Sequence, residues 1–228
     1  MSDTLSSAFA DTKPHYSILD GLRGVAALTV VCFHLFEAYA TSHFDQKINH
    51  GYLAVDFFFI LSGFVVGYAY DDRWKTMRIA DFLKRRFIRL HPMVIIGALI
   101  GAVMFYFQGC SVWEVSQVPV VALIIATLMN VLLIPAPPGM EIRGVGEMYP
   151  LNGPSWSLFF EYIGNILYAF FLHKLSTKVL SILVLSAGCG LAIFALWGPL
   201  GDICVGFALT EENIIGGSLR LLFSFPAG

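Results

Sequence analysis

His34 and Arg23 stand eleven positions apart in the run GLRGVAALTVVCFHLFEAYA, residues 21–40. On a helix turning ~100° per residue, eleven steps return to within about 20° of the starting direction at a rise of about 16 Å, so the two share one face. A second apolar run, GYLAVDFFFILSGFVVGYAY at 51–70, carries Asp56 four residues after Tyr52. A third stretch, NGPSWSLFFEY at 152–162, carries Glu161 five residues after Trp156. Ionisable side chains inside apolar segments are costly, and by default they mark a path or a site. An imidazole beside a carboxylate has its tautomer fixed and its protonated form favoured, which suits a general base that takes a proton from a hydroxyl. Glu37, one turn beyond His34, is a second candidate for that orienting role.

A further group of chemistry-bearing residues lies in KRRFIRLHP, residues 84–92, where Arg86 and Arg89 are three apart and Arg85 and Arg89 four apart. Guanidinium forks match phosphate oxygens and keep their charge, so this segment is a candidate phosphate site, with Pro92 expected near the start of the following span. Each of these residues also has a plainer reading. Arg23 and the three arginines can be interfacial anchors. His34, Asp56 and Glu161 can be hydrogen-bonded contacts between helices. Ser62, Gly63 and Gly67 in LSGFVVG read as small residues that admit another helix backbone, and Ser62 is not nominated as a nucleophile.

The elements that must carry these groups are set by composition. Of 228 residues 57% are hydrophobic and 13% charged, and the mean hydropathy is +0.73, well outside the range of soluble domains. The predicted fold is all-α: a polytopic transmembrane bundle with six to seven membrane segments. With a net charge of −2 and no basic or aromatic nucleic-acid module, nucleic acid is not an expected partner. Cys32, Cys110, Cys189 and Cys204 have no paired spacing for zinc or redox chemistry and read as packing residues; no metal site is expected. Residues 1–16 read as a cytoplasmic tail and 17–228 as one membrane domain. Asp3, Asp11 and Asp20 against Lys13 alone do not make the basic end of a cleaved leader, so the first apolar segment is expected to stay in the mature protein.

Expected spans are 22–40, 52–70, 87–108, 156–173 and 179–197, with a marginal run at 118–134 and a last one from Ile214 that is still apolar at Gly228, so more chain is expected beyond it. Seven of the 14 basic residues (Arg73, Lys75, Arg78, Lys84, Arg85, Arg86 and Arg89) fall between the second and third spans. The positive-inside rule puts that loop, and with it the N-terminus, in the cytoplasm. A full crossing by 118–134 would send Lys174 and Lys178 outside and Asp202, Glu211 and Glu212 inside, against the charge bias. A re-entrant course is therefore expected, since non-spanning backbone is tolerated where protein or a cavity covers it. At 1.5 Å per residue His34, Asp56 and Glu161 then lie ~9, ~6 and ~8 Å below the outer surface. The expected arrangement is an outer acid/base end and an inner arginine end.

At these residues the chain resembles the acyltransferase-3 family of integral membrane acyltransferases, which O-acylate carbohydrates and other extracytoplasmic acceptors. The resemblance rests on LDGLRGVAALTVVCFH, VDFFFILSGF, RRFIRLHP and PSWSLFFEY in that order, with GGSLRLLFSFPAG, containing Arg220, as a weaker later segment. It implies that His34 deprotonates the acceptor hydroxyl with Arg23 as its motif partner. It implies also that acyl-CoA, with acetyl as the acyl group, arrives from the cytoplasm at Arg85, Arg86 and Arg89. The donor is a substrate, and no permanently bound cofactor is expected. The implied acceptor is a carbohydrate or glycolipid, and the implied setting is membrane lipid in a bacterial inner membrane. Two other classes were open: a proton- or solute-translocating transporter, which would show internal repeats with paired broken helices, and an inactive, truncated family member serving as a scaffold. No repeat is found.

Overall fold

The computed structural model describes residues 13–14, 16–37, 39–41, 45–109, 117–140 and 142–228; Asp3, Asp11 and Cys110 lie outside them. Regular structure among the described residues is all helical: α1 (Ser17–Glu37), α2 (Leu53–Tyr70), α3 (Ile79–Gln108), α4 (Val120–Val131), α5 (Ser155–Phe170), α6 (Thr177–Trp197) and α7 (Glu211–Ala227), with short 3-10 turns between them. Four helices are long and apolar enough to cross a bilayer: α1, α2 with its extension to Arg73, α3 and α6. Helices stand within a few residues of the expected spans except at α3, but α5, expected to span as 156–173, has 16 residues and, like α7 with 17, is not among the helices long enough to cross. Helix α3 begins at Ile79, not near residue 87, so the arginine segment is its second and third turns and Pro92 lies in its interior.

The chain divides into two compact units, Met1–Ala54 and Val55–Gly228. In the first, α1 is followed by a turn-rich segment that folds back on the helix end. The Tyr52 ring meets Phe33 edge-on at 6.1 Å, and the Lys47 ammonium sits 5.8 Å over the Phe36 ring. Thr41 closes the turn by donating its N–H and its hydroxyl to Asp45.

In the second unit the contacts fix helix directions. Phe59 meets Trp156, Ser62 meets Glu161 and Asp71 meets Tyr168, so α2 and α5 run parallel. Phe82 meets Tyr168 and Arg86 meets Glu161, while Gly97 faces Asn152, so α3 runs against α5. Gly217 packs on Phe160 and Gly164 on Leu221, so α7 is parallel to α5; Gly190 packs on Leu219 and Gly188 on Phe223, so α6 runs against α7. The core these helices share contains Phe59, Val66, Phe82, Trp156, Phe160, Tyr168, Leu221 and Phe225. Two glycines allow backbone contact: a Cβ at Gly63 would lie 1.9 Å from the Phe225 carbonyl oxygen, and one at Gly101 would lie 1.7 Å from that of Leu151.

Because α3 and α5 are antiparallel, α4 between them does not carry the chain to the other side. Its 12 residues reach about 18 Å, short of the ~30 Å hydrocarbon core. It stops in a Schellman turn, with Ile134 N–H donating to Met129 O (2.8 Å) and Leu133 N–H to Asn130 O (3.1 Å). Leu133 takes the left-handed conformation, φ 54°, where glycine is usual, and its carbonyl accepts the buried Tyr149 hydroxyl at 2.9 Å. Burial pushes the Tyr149 phenol well above its ordinary pKa, so it stays a neutral donor there. The buried Asn130 amide oxygen accepts Leu151 N–H at 3.2 Å and ties the end of α4 to the chain leading into α5.

Candidate functional site

On α1 both expected residues are paired within their own helix. Arg23 Nη1 donates to Asp20 Oδ1 at 2.5 Å, and His34 Nδ1 lies 2.8 Å from Glu37 Oε2. Both spacings are i, i+3, the distance at which helix neighbours meet. The side chains stay open, 38% and 48% exposed in the first pair and 46% and 53% in the second. A carboxylate only accepts, so Nδ1 carries the proton and Nε2 is left as the acceptor of the neutral ring. The Phe33 ring stands edge-on to the imidazole at 5.2 Å and restricts its swing. Glu37, one of the carboxylates expected to orient the ring, makes this contact.

The carboxylates of the larger unit are held differently. Glu161 Oε1 accepts from Arg86 Nη2 (3.0 Å) and from the Ser62 hydroxyl (2.6 Å), and Arg86 Nη2 lies 3.4 Å from Ser62 Oγ. This knot joins α2, α3 and α5. Arg86 is 3% exposed, whereas Arg85 and Arg89 are exposed. The expected separation of an acid/base end from an arginine end therefore fails for this pair. Glu161 and Arg86 meet across α5 and α3 at 3.0 Å, and an unpaired charge at either position inside the bundle would cost several kcal/mol (~3–5).

Asp56 closes a second knot. Arg220, fully buried in the middle of α7, donates Nε to Oδ1 (3.0 Å) and Nη2 to Oδ2 (2.8 Å), and its Nη1 donates to Val205 O (2.8 Å). The Trp156 ring covers the guanidinium at 5.1 Å, a cation–π contact that gives the tryptophan of PSWSLFFEY a role the sequence did not reveal. In the sequence Arg220 stood out only through the weaker family-like segment GGSLRLLFSFPAG, which named no partner for it. Asp56 and Glu161 thus serve two different arginines.

Two further clusters of contacts escaped the sequence reading. His91 is buried, stacks on Phe87 at 4.2 Å and lies 3.4 Å from the Tyr162 hydroxyl through Nδ1, a contact between α3 and α5. At the far end of α5, the Tyr168 hydroxyl donates to Asp71 Oδ1 (2.5 Å) and accepts from Trp74 Nε1 (3.2 Å), while His173 stacks on Trp74 at 4.1 Å. Apart from the i, i+4 stack of His91 on Phe87, the partners are 71 to 97 residues apart for the hydrogen bonds, so no local spacing announces them.

A family model described as an acyltransferase domain matches residues 16–228. Protein 2 in the picA locus of Rhizobium radiobacter is 35% identical over 162 residues, covering 68% of this chain and 81% of that protein. Acyltransferase MdmB of Streptomyces mycarofaciens is 31% identical over 156 residues, 63% of this chain and 36% of its own length. Peptidoglycan O-acetyltransferase OatA of Listeria monocytogenes is 32% identical over 101 residues, 42% of this chain and 15% of its own length. The chain thus spans well under half of the two relatives whose names state an activity. No solved structure matches it.

Proposed function

The chain belongs to the acyltransferase-3 family, whose model covers residues 16–228, and from that premise we propose that it moves an acyl group, acetyl by resemblance, from cytoplasmic acyl-CoA to a hydroxyl of an extracytoplasmic carbohydrate or glycolipid. In this reading it works in a bacterial inner membrane with its N-terminus on the cytoplasmic side. The family and its several apolar helices make the chain a membrane acyltransferase; donor, acceptor and base are the proposal.

The observation that carries the chemistry is the His34–Glu37 contact of 2.8 Å. With Nδ1–H held by Glu37, Nε2 takes the proton of the acceptor hydroxyl as its oxygen attacks the thioester carbonyl carbon. The tetrahedral intermediate collapses by breaking the C–S bond, and the imidazolium returns the proton to the departing CoA thiolate. No acyl-enzyme is required. Arg23, paired with Asp20 on the same face and open to solvent, can exchange that carboxylate for an anionic group at small cost. Asp56 and Glu161 act as fixed anions neutralised by arginines, and this supports a positioning role for both over proton transfer.

His34→Ala should abolish transfer while the protein still inserts, and wild-type turnover in that variant would remove the base from the mechanism. Cysteine labelling tests the orientation. Positions Gly139 and Ser176, both exposed, should react from opposite sides, Gly139 from the outside and Ser176 from the cytoplasm.

A further inference from the structure

The segment KRRFIRLHP sorts its arginines by burial. Phe82 and Arg86, one turn apart on α3, are buried, and Arg86 is spent on Glu161 and Ser62. Arg85 and Arg89 are exposed, and so is Arg78, the residue that caps the helix. Positions 78, 85 and 89 fall within about 20° of one direction at ~100° per residue, with Arg85 and Arg89 separated by about 6 Å along the axis and Arg78 by a further ~10 Å. Asp81 shares this face, four residues before Arg85, and is exposed.

The geometry points to a division of labour: Arg78, Arg85 and Arg89 grip the phosphates of the acyl-CoA donor, and Arg86 touches no donor atom but sets the rotation of α3. The inference rests on the donor reading above. Adjacent forks one turn apart suit the two phosphates of a diphosphate. The more distant Arg78 suits the third phosphate, on the ribose. Asp81 opposes the donor's charge, so the stripe must overcome one carboxylate. Arg86 cannot serve without abandoning Glu161 inside the bundle, where a lone carboxylate is costly. Arg78 was counted in the sequence only as part of a topological signal, and Arg86 was grouped with the donor residues.

The test is calorimetric titration of the detergent-solubilised chain with acetyl-CoA and with 3′-dephospho-acetyl-CoA. Arg85→Gln and Arg89→Gln should each weaken both ligands about tenfold, the scale of one charge-assisted hydrogen bond. Arg78→Gln should weaken acetyl-CoA and leave the dephospho analogue unchanged, and Asp81→Asn should tighten both. Arg86→Gln, Glu161→Gln and their double variant should shift affinity by one common factor, and Arg86→Glu combined with Glu161→Arg should recover it. Loss of donor binding in Arg86→Gln with wild-type affinity in Glu161→Gln overturns the division of labour. So do wild-type affinities in the three exposed variants. If those variants instead lose sedimentation with phosphatidylglycerol vesicles, the stripe holds lipid headgroups; this inference then fails while the acyl-transfer reading stands. A wild-type chain that binds neither acetyl-CoA nor its analogue overturns the donor reading itself.

Discussion

The polar residues of α1 and those of the larger unit solve opposite problems. Arg23 and His34 pair with acids three residues away on their own helix and remain roughly half exposed. Arg86 and Arg220 pair with acids 75 and 164 residues away and are almost sealed, at 3% and 0% exposure. An exposed local pair contributes little to stability, about 0–1 kcal/mol, and can exchange its partner for a substrate at small cost. A sealed pair joining distant helices cannot give up one member without stranding the other. The pairs that are free to do chemistry are therefore the ones that hold nothing together, and the pairs that hold the bundle are chemically committed.

This contrast can be broken by experiment. The largest effect is expected at the open pair: replacing His34 should cost the 10²- to 10⁴-fold that general-base catalysis supplies, about 3–5 kcal/mol in the barrier, with the melting temperature unmoved. Arg220→Met should do the reverse. It strands Asp56 and should lower stability by about 3–5 kcal/mol, read as thermal unfolding in detergent, and Arg220→Met with Asp56→Leu should recover much of that loss. Sharper still is Gly63→Ala, which drives a methyl group into the Phe225 carbonyl. A cost of about 1–3 kcal/mol is expected, with no change in the chemistry if the bundle reseats. The smallest effect lies at the α4 turn. Leu133→Gly relieves a left-handed leucine and should raise stability by up to about 1 kcal/mol, less the packing the side chain provides.

How much of this was legible follows from the same distinction. Hydropathy runs located the helices, and the i, i+3 spacing of His34 and Glu37 made their contact readable, because both signals are local. The loop charges suggested that α4 turns back, and the antiparallel course of α3 and α5 gives that reading its geometry. The early start of α3 was hidden because its charged first turns look like a loop to any hydropathy scale. The end of α4 was hidden because its Schellman turn carries Leu133 where a glycine would have announced it. The partners of Glu161 and Asp56 depend on helix directions and registers across many residues. Depth counted from each span's outer boundary put Glu161 and Arg86 at opposite ends, although a long arginine side chain and a helix that begins eight residues sooner bring them within 3.0 Å.

One measurement bears most directly on the central claim that the open imidazole of α1 is the base while the sealed carboxylates are structural. Surface glycans from cells expressing the protein with His34→Gln are compared by mass with those from cells carrying the wild type. The account predicts that the acetyl increments vanish in the variant although the protein inserts in equal amount. Acetyl increments of wild-type abundance in the His34→Gln cells would contradict it.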